Sequence, residues 1–260
     1  MRIALVSQNV SPGLLIFRKD FIRYLLRQGH VVYAFALDYT DKTKKEVENL
    51  GAIPVYYQLN KTGLNGVADI RDVYRLCKTF KKLSLDVVFS FFVKPSIYAS
   101  IAAGLAGVPR KIAMLEGLGY VHTPNQQGMS FKKRVLQRVH GFLCSVGYTF
   151  VDKVLFLNHD DPKDLSRVSV FNQNKVEVLG PIGLALEDYP YSESDLNKPI
   201  RFIFIGRLLA EKGIFDFLAA ARLVKQHYAD AEFVVLGSLD TDNPAGLSKD
   251  QLDMVIKENL

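Results

Sequence analysis

One short segment, residues 201–213, constrains the rest of the chain most. It reads RFIFIGRLLAEKG and opens with an apolar run short enough for a buried parallel strand. Gly206 ends this strand and Arg207 follows, while Lys212 and Gly213 lead into a sequence with one apolar helical face. The pattern predicts two cations and a helix N-terminus at the ligand-binding edge of an open α/β sheet, an arrangement suited to a diphosphate. An ordinary β-α unit with solvated charges fits the spacing equally well.

The sequence GRLLAEKG resembles the G-R-L-x-x-x-K-G element of retaining family 4 glycosyltransferases, which have the two-domain GT-B fold. In that family the Arg and the Lys bind the diphosphate of a nucleotide sugar, which implies this role for Arg207 and Lys212. The resemblance implies an α/β protein of GT-B type. We expect a complete N-terminal Rossmann-like domain followed by the first part of a second Rossmann-like domain.

Composition narrows the class of protein. The chain has 260 residues, 48% of them hydrophobic and 23% charged, which is typical of a soluble globular protein. Cys77 and Cys144 are the only cysteines, too few for a disulfide framework, so we expect a reducing cytoplasmic setting. The first residues contain too short an apolar run for a signal peptide, and no stretch approaches a membrane span.

Charge is distributed unevenly along the chain. Residues 1–150 carry 21 Lys and Arg against 9 Asp and Glu, a net charge of +12. Residues 151–260 carry 12 against 18, or −6, which gives the overall net charge of +6. A basic first half predicts an anionic partner such as a membrane surface. We expect no nucleic acid partner.

The first half begins in the manner of a doubly wound β-α-β unit. It lacks G-x-G-x-x-G, so a dinucleotide cofactor is poorly supported and no cofactor is expected. Gly13 is a candidate for close approach of the backbone to a ligand, and the family has a similar glycine turn near the sugar phosphate. A plain turn glycine is the alternative. Residues 14–30 predict a helix, with an apolar face that includes Phe17, Phe21, Tyr24 and Leu25.

A second informative stretch is EGLGYV, which starts at Glu116 where a predicted strand ends. It is similar to the loop that family members place beside the donor sugar, which implies that Gly117 and Gly119 lie near that sugar. Many relatives have histidine at about the position of Glu116. The carboxylate could polarise an acceptor hydroxyl or could only pair with a neighbouring cation. His122 could take the histidine's catalytic role or be an ordinary loop residue.

Residues 129–150 form an amphipathic stretch with two interpretations. Phe131, Val135, Val139, Phe142 and Val146 recur at helical spacing. One interpretation is a core-facing apolar stripe with a solvated basic face. The other is a membrane-surface helix that binds anionic lipid through the basic residues Lys132, Lys133, Arg134 and Arg138.

The domain organisation follows from the polar, irregular stretch near residue 190. We expect an N-terminal, acceptor-side domain at residues 1–186, a linker at 187–199 and the start of a nucleotide-sugar-binding domain at 200–260. Asp240 and Asp242 match a D-x-D metal pattern, but two successive α/β halves favour GT-B, so no metal is expected. The family's E-x7-E element would lie beyond Leu260, and we expect this chain alone to be inactive.

The resemblance implies a retaining glycosyltransferase that moves a sugar from a nucleotide diphosphate sugar to an acceptor. A lipid-linked saccharide of bacterial surface polysaccharide synthesis is the acceptor we expect by analogy. The protein would then be cytoplasmic and peripheral on the inner face of the membrane. The alternative is a non-catalytic module that binds sugar phosphates or another partner.

Overall fold

A computed structural model describes residues 1–59, 66–119, 122, 130–193, 199–239 and 246–258. The chain divides into two compact units, Met1–Asp188 and Tyr189–Leu260. Their boundary falls inside the predicted linker, residues 187–199.

The first unit is built on a seven-stranded sheet in the order β3-β2-β1-β4-β5-β6-β7, with every neighbouring pair parallel. Parallel strands place all their carboxyl ends at one edge, where α/β proteins bind ligands. The strands are β1 (Arg2–Val6), β2 (Val31–Ala36), β3 (Ile53–Tyr56), β4 (Val87–Phe91), β5 (Arg110–Leu115), β6 (Lys153–Phe156) and β7 (Val176–Val178).

Helices follow most of these strands and cover the sheet. They are α1 (Lys19–Arg27), α2 (Asp41–Asn49), α3 (Gly66–Leu83), α4 (Val93–Ala106), α5 (Phe131–Thr149) and α6 (Asp160–Ser166). Buried side chains from α3, α4 and α5 form one core cluster, and those from α1 and α2 form another. Gly104 of α4 and Gly147 of α5 allow close packing, since a Cβ at either position would contact Phe150 or Ile97. None of the described helices is long and apolar enough to cross a membrane.

The first helix differs from the sequence prediction. It begins at Lys19 rather than near residue 14, and residues 11–17 form turns. Ile22 and Leu25 form its buried stripe, whereas Phe17, Phe21 and Tyr24 of the predicted apolar face are exposed. Phe21 and Tyr24 each precede a buried residue by one position. A step of one residue turns about 100° around a helix, so both rings lie beside the buried stripe rather than in it. Phe21 still contacts Phe89 edge-to-face, with ring centroids 6.0 Å apart, at the margin of the core.

The second unit contains a parallel pair of strands, β8 (Arg201–Ile205) and β9 (Glu232–Leu236), with α7 (Ile214–His227) and α8 (Lys249–Lys257). Its core is small and consists of Phe204, Leu208, Ile214, Leu218 and Leu247. Ile203 and Ile205 of β8 are exposed, because strand side chains alternate between two faces and only one face is covered in the described residues.

Candidate functional site

The turn after β1 contains Gly13 and is held tightly by its own residues. The Gly13 amide donates to Asn9 Oδ1 over 2.9 Å, and the Val10 amide donates to Asp38 Oδ1 over 2.8 Å. A Cβ at Gly13 would collide with Ser7 Oγ and would lie 2.6 Å from the carbonyl oxygen of Asn9. Packing within the turn therefore requires glycine at this position, whether or not a ligand approaches it.

Glu116 follows the end of β5, at the same edge of the sheet. Its Oε1 forms an ion pair with Nη2 of Arg18, and the two side chains are only 9% and 6% exposed. No other described residue donates a hydrogen bond to this carboxylate. Of the two roles foreseen for Glu116, pairing with a cation is the one observed. The pair still leaves Oε2 without a hydrogen bond from the described residues.

Arg18 is fixed from several sides. Its guanidinium carbon lies 4.3 Å from the centre of the Phe91 ring, its Nη1 donates to the Phe17 carbonyl oxygen over 3.0 Å, and its Nη2 is 3.7 Å from Met114 Sδ. Burial lowers the pKa of Arg18 to about 10. The side chain therefore remains charged at neutral pH and neutralises Glu116. Beyond Glu116 the chain continues through Gly117 and Gly119.

Gly117 and Gly119 have φ values of 125° and 76°, which side chains rarely allow. A Cβ at either position would meet no described atom within 4 Å, so the need for glycine is conformational here rather than steric. The predicted loop also includes Tyr120, which lies outside the described residues. The two glycines thus shape the chain directly after Glu116.

His122 belongs to a different hydrogen-bonded group. Its Nε2 lies 2.8 Å from His140 Nδ1, its Nδ1 lies 3.3 Å from Gln137 Nε2, and His140 Nε2 lies 3.3 Å from Cys144 Sγ. Desolvation lowers the pKa of His122, and desolvation together with the nearby His122 lowers that of His140 to about 4. No hydrogen bond among the described residues joins His122 to Glu116, the two predicted catalytic residues.

The apolar stripe of α5 faces outward, which makes the core-facing interpretation wrong. Phe131 is 82% exposed and Phe142 is 65% exposed, Val135 and Val146 are exposed as well, and Val139 is half-buried. The core-facing side carries His140, Gly141, Cys144 and Gly147, together with the fully buried ring of Tyr148. A Cβ at Gly141 would collide with the Val168 carbonyl oxygen, so the helix can pack there only with glycine at that position.

The basic residues of α5 divide between its two faces. Lys132, Arg134 and Arg138 are exposed beside the apolar stripe. Lys133 was expected to face outward with them, but it is buried. The correction follows from helical spacing, because Lys133 lies seven positions before His140 and therefore on the same buried face.

The second unit holds Arg207 and Lys212. Gly206 ends β8 with a φ of 156°, and residues Ala210–Lys212 form a short 3-10 turn before α7. Gly213, with a φ of 81°, is the N-cap of α7. Buried Leu208 and Leu209 anchor the segment while Arg207 and Lys212 are exposed. Two cations therefore stand at a strand's carboxyl end and before a 14-residue helix, as the sequence predicted, which suits the binding of phosphate oxygens.

No group of His, Cys, Asp and Glu suited to a metal ion occurs in the described part of the chain. Asp240 and Asp242, the D-x-D candidates, lie outside it.

Residues 2–158 match the model of the family described as Glycosyl transferase 4-like. The chain belongs to this family. It is 27% identical over 266 residues to the Campylobacter jejuni N,N'-diacetylbacillosaminyl-diphospho-undecaprenol alpha-1,3-N-acetylgalactosaminyltransferase, in an alignment that covers 97% of this chain and 67% of the relative. It is 25% identical over 206 residues to the Escherichia coli UDP-Gal:alpha-D-GlcNAc-diphosphoundecaprenol alpha-1,3-galactosyltransferase, which covers 75% of this chain and 51% of that protein.

Solved structures agree on the fold of this glycosyl transferase 4-like chain. Anabaena HepE, crystallised with UDP and glucose, superposes with a TM-score of 0.68 at 14% identity. The match covers 99% of this chain and 65% of HepE. The predicted α/β fold of GT-B type is confirmed. The chain spans about two thirds of the length of HepE and of the C. jejuni relative, and about half that of the E. coli relative.

Sequence reasoning missed Arg18 as a member of the site. It lies 98 positions from Glu116, and the charged sequence around it resembles a solvated helix start. The only available signal was that Glu116 is isolated among apolar strand residues and would need a cation when buried.

Proposed function

We propose that this protein transfers a sugar from a nucleotide diphosphate sugar to a hydroxyl of a lipid-linked saccharide, with retention of configuration at the transferred carbon. The observation that carries the proposal is the placement of Arg207 and Lys212 around the β8 end and the α7 start. Departure of the nucleoside diphosphate builds negative charge on its terminal phosphate. Two cations and a helix N-terminus would stabilise that charge in the transition state.

A uridine nucleotide is the donor we propose. The support is that the similarly folded Anabaena protein was crystallised with UDP and glucose, and that the E. coli relative is named as using UDP-Gal. We also propose that Gly13, Gly117 and Gly119 lie near the donor sugar. Among the described residues, Gly117 and Gly119 leave open space where a Cβ would stand, so a sugar could approach the main chain there, whereas at Gly13 the same space is filled by Ser7 and Asn9 and the sugar would meet the turn from another side.

The proposed acceptor is a saccharide joined through diphosphate to a polyprenol. Both curated relatives are named for acceptors of this type, each carrying a sugar on diphospho-undecaprenol. We assign Glu116 the contact with the acceptor hydroxyl. Arg18 occupies Oε1, and Oε2 remains as a hydrogen-bond acceptor that can orient and polarise an O–H group. His122 is assigned no proton transfer, because its ring nitrogens are already engaged by His140 and Gln137.

Such an acceptor places the reaction at a membrane surface, and α5 is the proposed contact. Its outward stripe of Phe131, Val135, Phe142 and Val146 can enter the headgroup region, while Lys132, Arg134 and Arg138 attract anionic lipid. The two free, buried cysteines fit a reducing cytoplasm. The protein would then act as a peripheral enzyme of polysaccharide synthesis on the inner face of the membrane.

The test is to incubate the chain with a panel of UDP-sugars and an N-acetylglucosaminyl-diphospho-lipid, and to analyse the lipid by mass spectrometry. A product heavier by one sugar, lost with Arg207→Ala, would support the proposal. UDP binding without product from any donor, both in this chain and in a longer form that carries an E-x7-E segment, would favour the non-catalytic binding module instead. Absence of both binding and product would contradict both functions.

A further inference from the structure

A cavity of about 260 Å³ opens at the carboxyl ends of β2 and β3, beside the first turns of α3. Leu37, Tyr56 and Tyr57 form its apolar and aromatic walls, and Gln58, Arg71 and Asp72 supply polar groups. Pockets for drug-sized ligands usually occupy about 300–1,000 Å³. This cavity is smaller, so it suits a single ring rather than a nucleotide.

Asp72 is the most unusual group on the cavity wall. Its side chain is only 7% exposed, yet its buried Oδ1 has no hydrogen-bond partner among the described residues. The guanidinium groups of Arg71 and Arg75 lie 3.9 Å and 3.8 Å from this oxygen, close enough to balance its charge but too far to donate a hydrogen bond. Buried carboxylates are normally satisfied. A ligand that brings hydroxyl or amide donors would meet this need.

Gln58 supplies a hydrogen-bond donor to the cavity, whereas Asp72 supplies an acceptor. Its Oε1 accepts a hydrogen bond from Arg75 Nη1 over 2.5 Å. Because arginine can only donate, this contact identifies the oxygen and leaves the Gln58 amide nitrogen as a donor. The cavity thus offers a carboxylate acceptor, an amide donor, a guanidinium donor and tyrosine rings. Only a compact ring that carries both donors and acceptors uses all of them.

The cavity is joined to the turn that contains Gly13. The Tyr57 hydroxyl donates to the Ser7 carbonyl oxygen over 2.9 Å, and Ser7 Oγ is the atom that leaves no room for a side chain at Gly13. Neighbouring strands are about 4.8 Å apart. A ring in the cavity therefore lies one or two strand spacings from the β1 turn, along the edge that also carries Glu116.

We propose that this cavity binds a sugar ring of the acceptor, held by Asp72 and Gln58 and packed against Tyr56. The inference rests on the proposed function, since it names where the first unit binds the acceptor saccharide. An inorganic diphosphate is disfavoured because it is almost fully deprotonated at neutral pH and brings few hydroxyl donors to the unsatisfied Asp72 Oδ1. A purely apolar ligand would leave Asp72 buried and unsatisfied.

The experiment is a titration of the isotope-labelled 260-residue chain with the methyl α-glycoside of N-acetylglucosamine, followed by two-dimensional NMR. We expect shifts at Tyr57, Gln58 and Asp72, and a saturable dissociation constant. Asp72→Asn should weaken binding about tenfold or more, as for loss of a hydrogen bond to a charged group. Tyr56→Ala, at a side chain on the edge strand where truncation disturbs little, should weaken binding roughly two- to tenfold.

Tyr74→Ala is the matched control for Tyr56→Ala. Both tyrosines are exposed to a similar extent, 58% and 60%, and Tyr74 does not line the cavity. Equal affinity in the Tyr56 and Tyr74 variants, shifts that map away from the cavity, or displacement of the glycoside by inorganic diphosphate would each overturn the assignment. A parallel titration with UDP separates this result from the proposed function. If the glycoside does not bind in the cavity, UDP can still bind through Arg207, and the proposed function stands. If UDP does not bind, the glycoside titration still tests the cavity by itself.

Discussion

Arg18 and Glu116 form an ion pair across 98 positions of sequence, and both side chains are more than nine-tenths buried. The pair links the start of α1 to the end of β5, which are the two first-unit segments that carry the proposed site. Removing one partner leaves the other charge buried without compensation. That change is far more costly than the loss of a surface pair.

Arg18→Met is therefore expected to lower the free energy of unfolding by about 3–5 kcal/mol, measured by urea denaturation. The double variant Arg18→Met/Glu116→Gln should recover most of this loss, because no charge is then left buried. Arg23→Met is the control, since the Arg23–Asp20 pair is about half exposed and should contribute at most about 1 kcal/mol. Equal losses in the two single variants would show that the buried pair has no special weight.

Gly13→Ala tests the packing of the β1 turn. The added Cβ would collide with Ser7 Oγ and the Asn9 carbonyl oxygen, so we expect a loss of about 1–3 kcal/mol in the free energy of unfolding. Gly183→Ala is the matched control within the same unit, because a Cβ there would meet no atom within 4 Å. If Gly13→Ala is as stable as Gly183→Ala, the turn has more room than its geometry implies.

The buried histidine pair predicts a pH dependence of stability. The pKa of His140 falls from an ordinary 6.5 to about 4 on folding. Between these values the unfolded chain binds a proton that the folded chain does not, so stability falls as pH is lowered from 6.5 to 4. The contribution of His140 over this range is about 3 kcal/mol. Unfolding measured at several pH values should show a shallower slope for His140→Asn, and an unchanged slope would contradict the assignment.

Much of the architecture could be predicted from the sequence, because apolar runs, glycines and helical periodicity are local signals. The strand at β8, Gly206 and the cations around α7 were all expected from thirteen consecutive residues. The orientation of amphipathic helices was harder. In α5 the large apolar residues suggested the buried face, yet the helix packs on the domain through Gly141 and Gly147, where a Cβ would meet Val168 or Ile97.

Contacts between distant segments were not predictable from local pattern. Nothing near Arg18 indicates that its partner is Glu116, and nothing near Asp72 indicates a cavity whose walls come from β2, β3 and α3. These relationships depend on the order of strands in the sheet. In α1 the sequence predicted that Phe21 belongs to the apolar face, whereas the structure buries the neighbouring residue Ile22. A shift of one position along the helix accounts for this difference.

Arg207→Ala tests the donor site. Loss of a charged hydrogen bond to phosphate should weaken UDP binding by about 1.5–3 kcal/mol, measured by calorimetry. Arg222→Ala removes an exposed arginine of the same unit, on α7, that pairs with Glu258, and it should leave the affinity unchanged. Equal affinity of both variants for UDP would refute the role of Arg207, and equal weakening would point to an effect of overall charge.

The exposed face of α5 makes the membrane contact testable by co-sedimentation with liposomes. Binding should rise with the fraction of anionic lipid and fall with added salt, because a Debye length of about 10 Å at 0.1 M screens surface charges. Changing Lys132, Arg134 and Arg138 together to Glu should abolish most binding. The matched control changes the exposed Lys42, Lys44 and Lys45 of α2 to Glu, which alters net charge equally but not this helix. Equal loss in the two triple variants would reduce the interaction to net charge, and binding to neutral vesicles at full strength would remove the electrostatic part of the proposal.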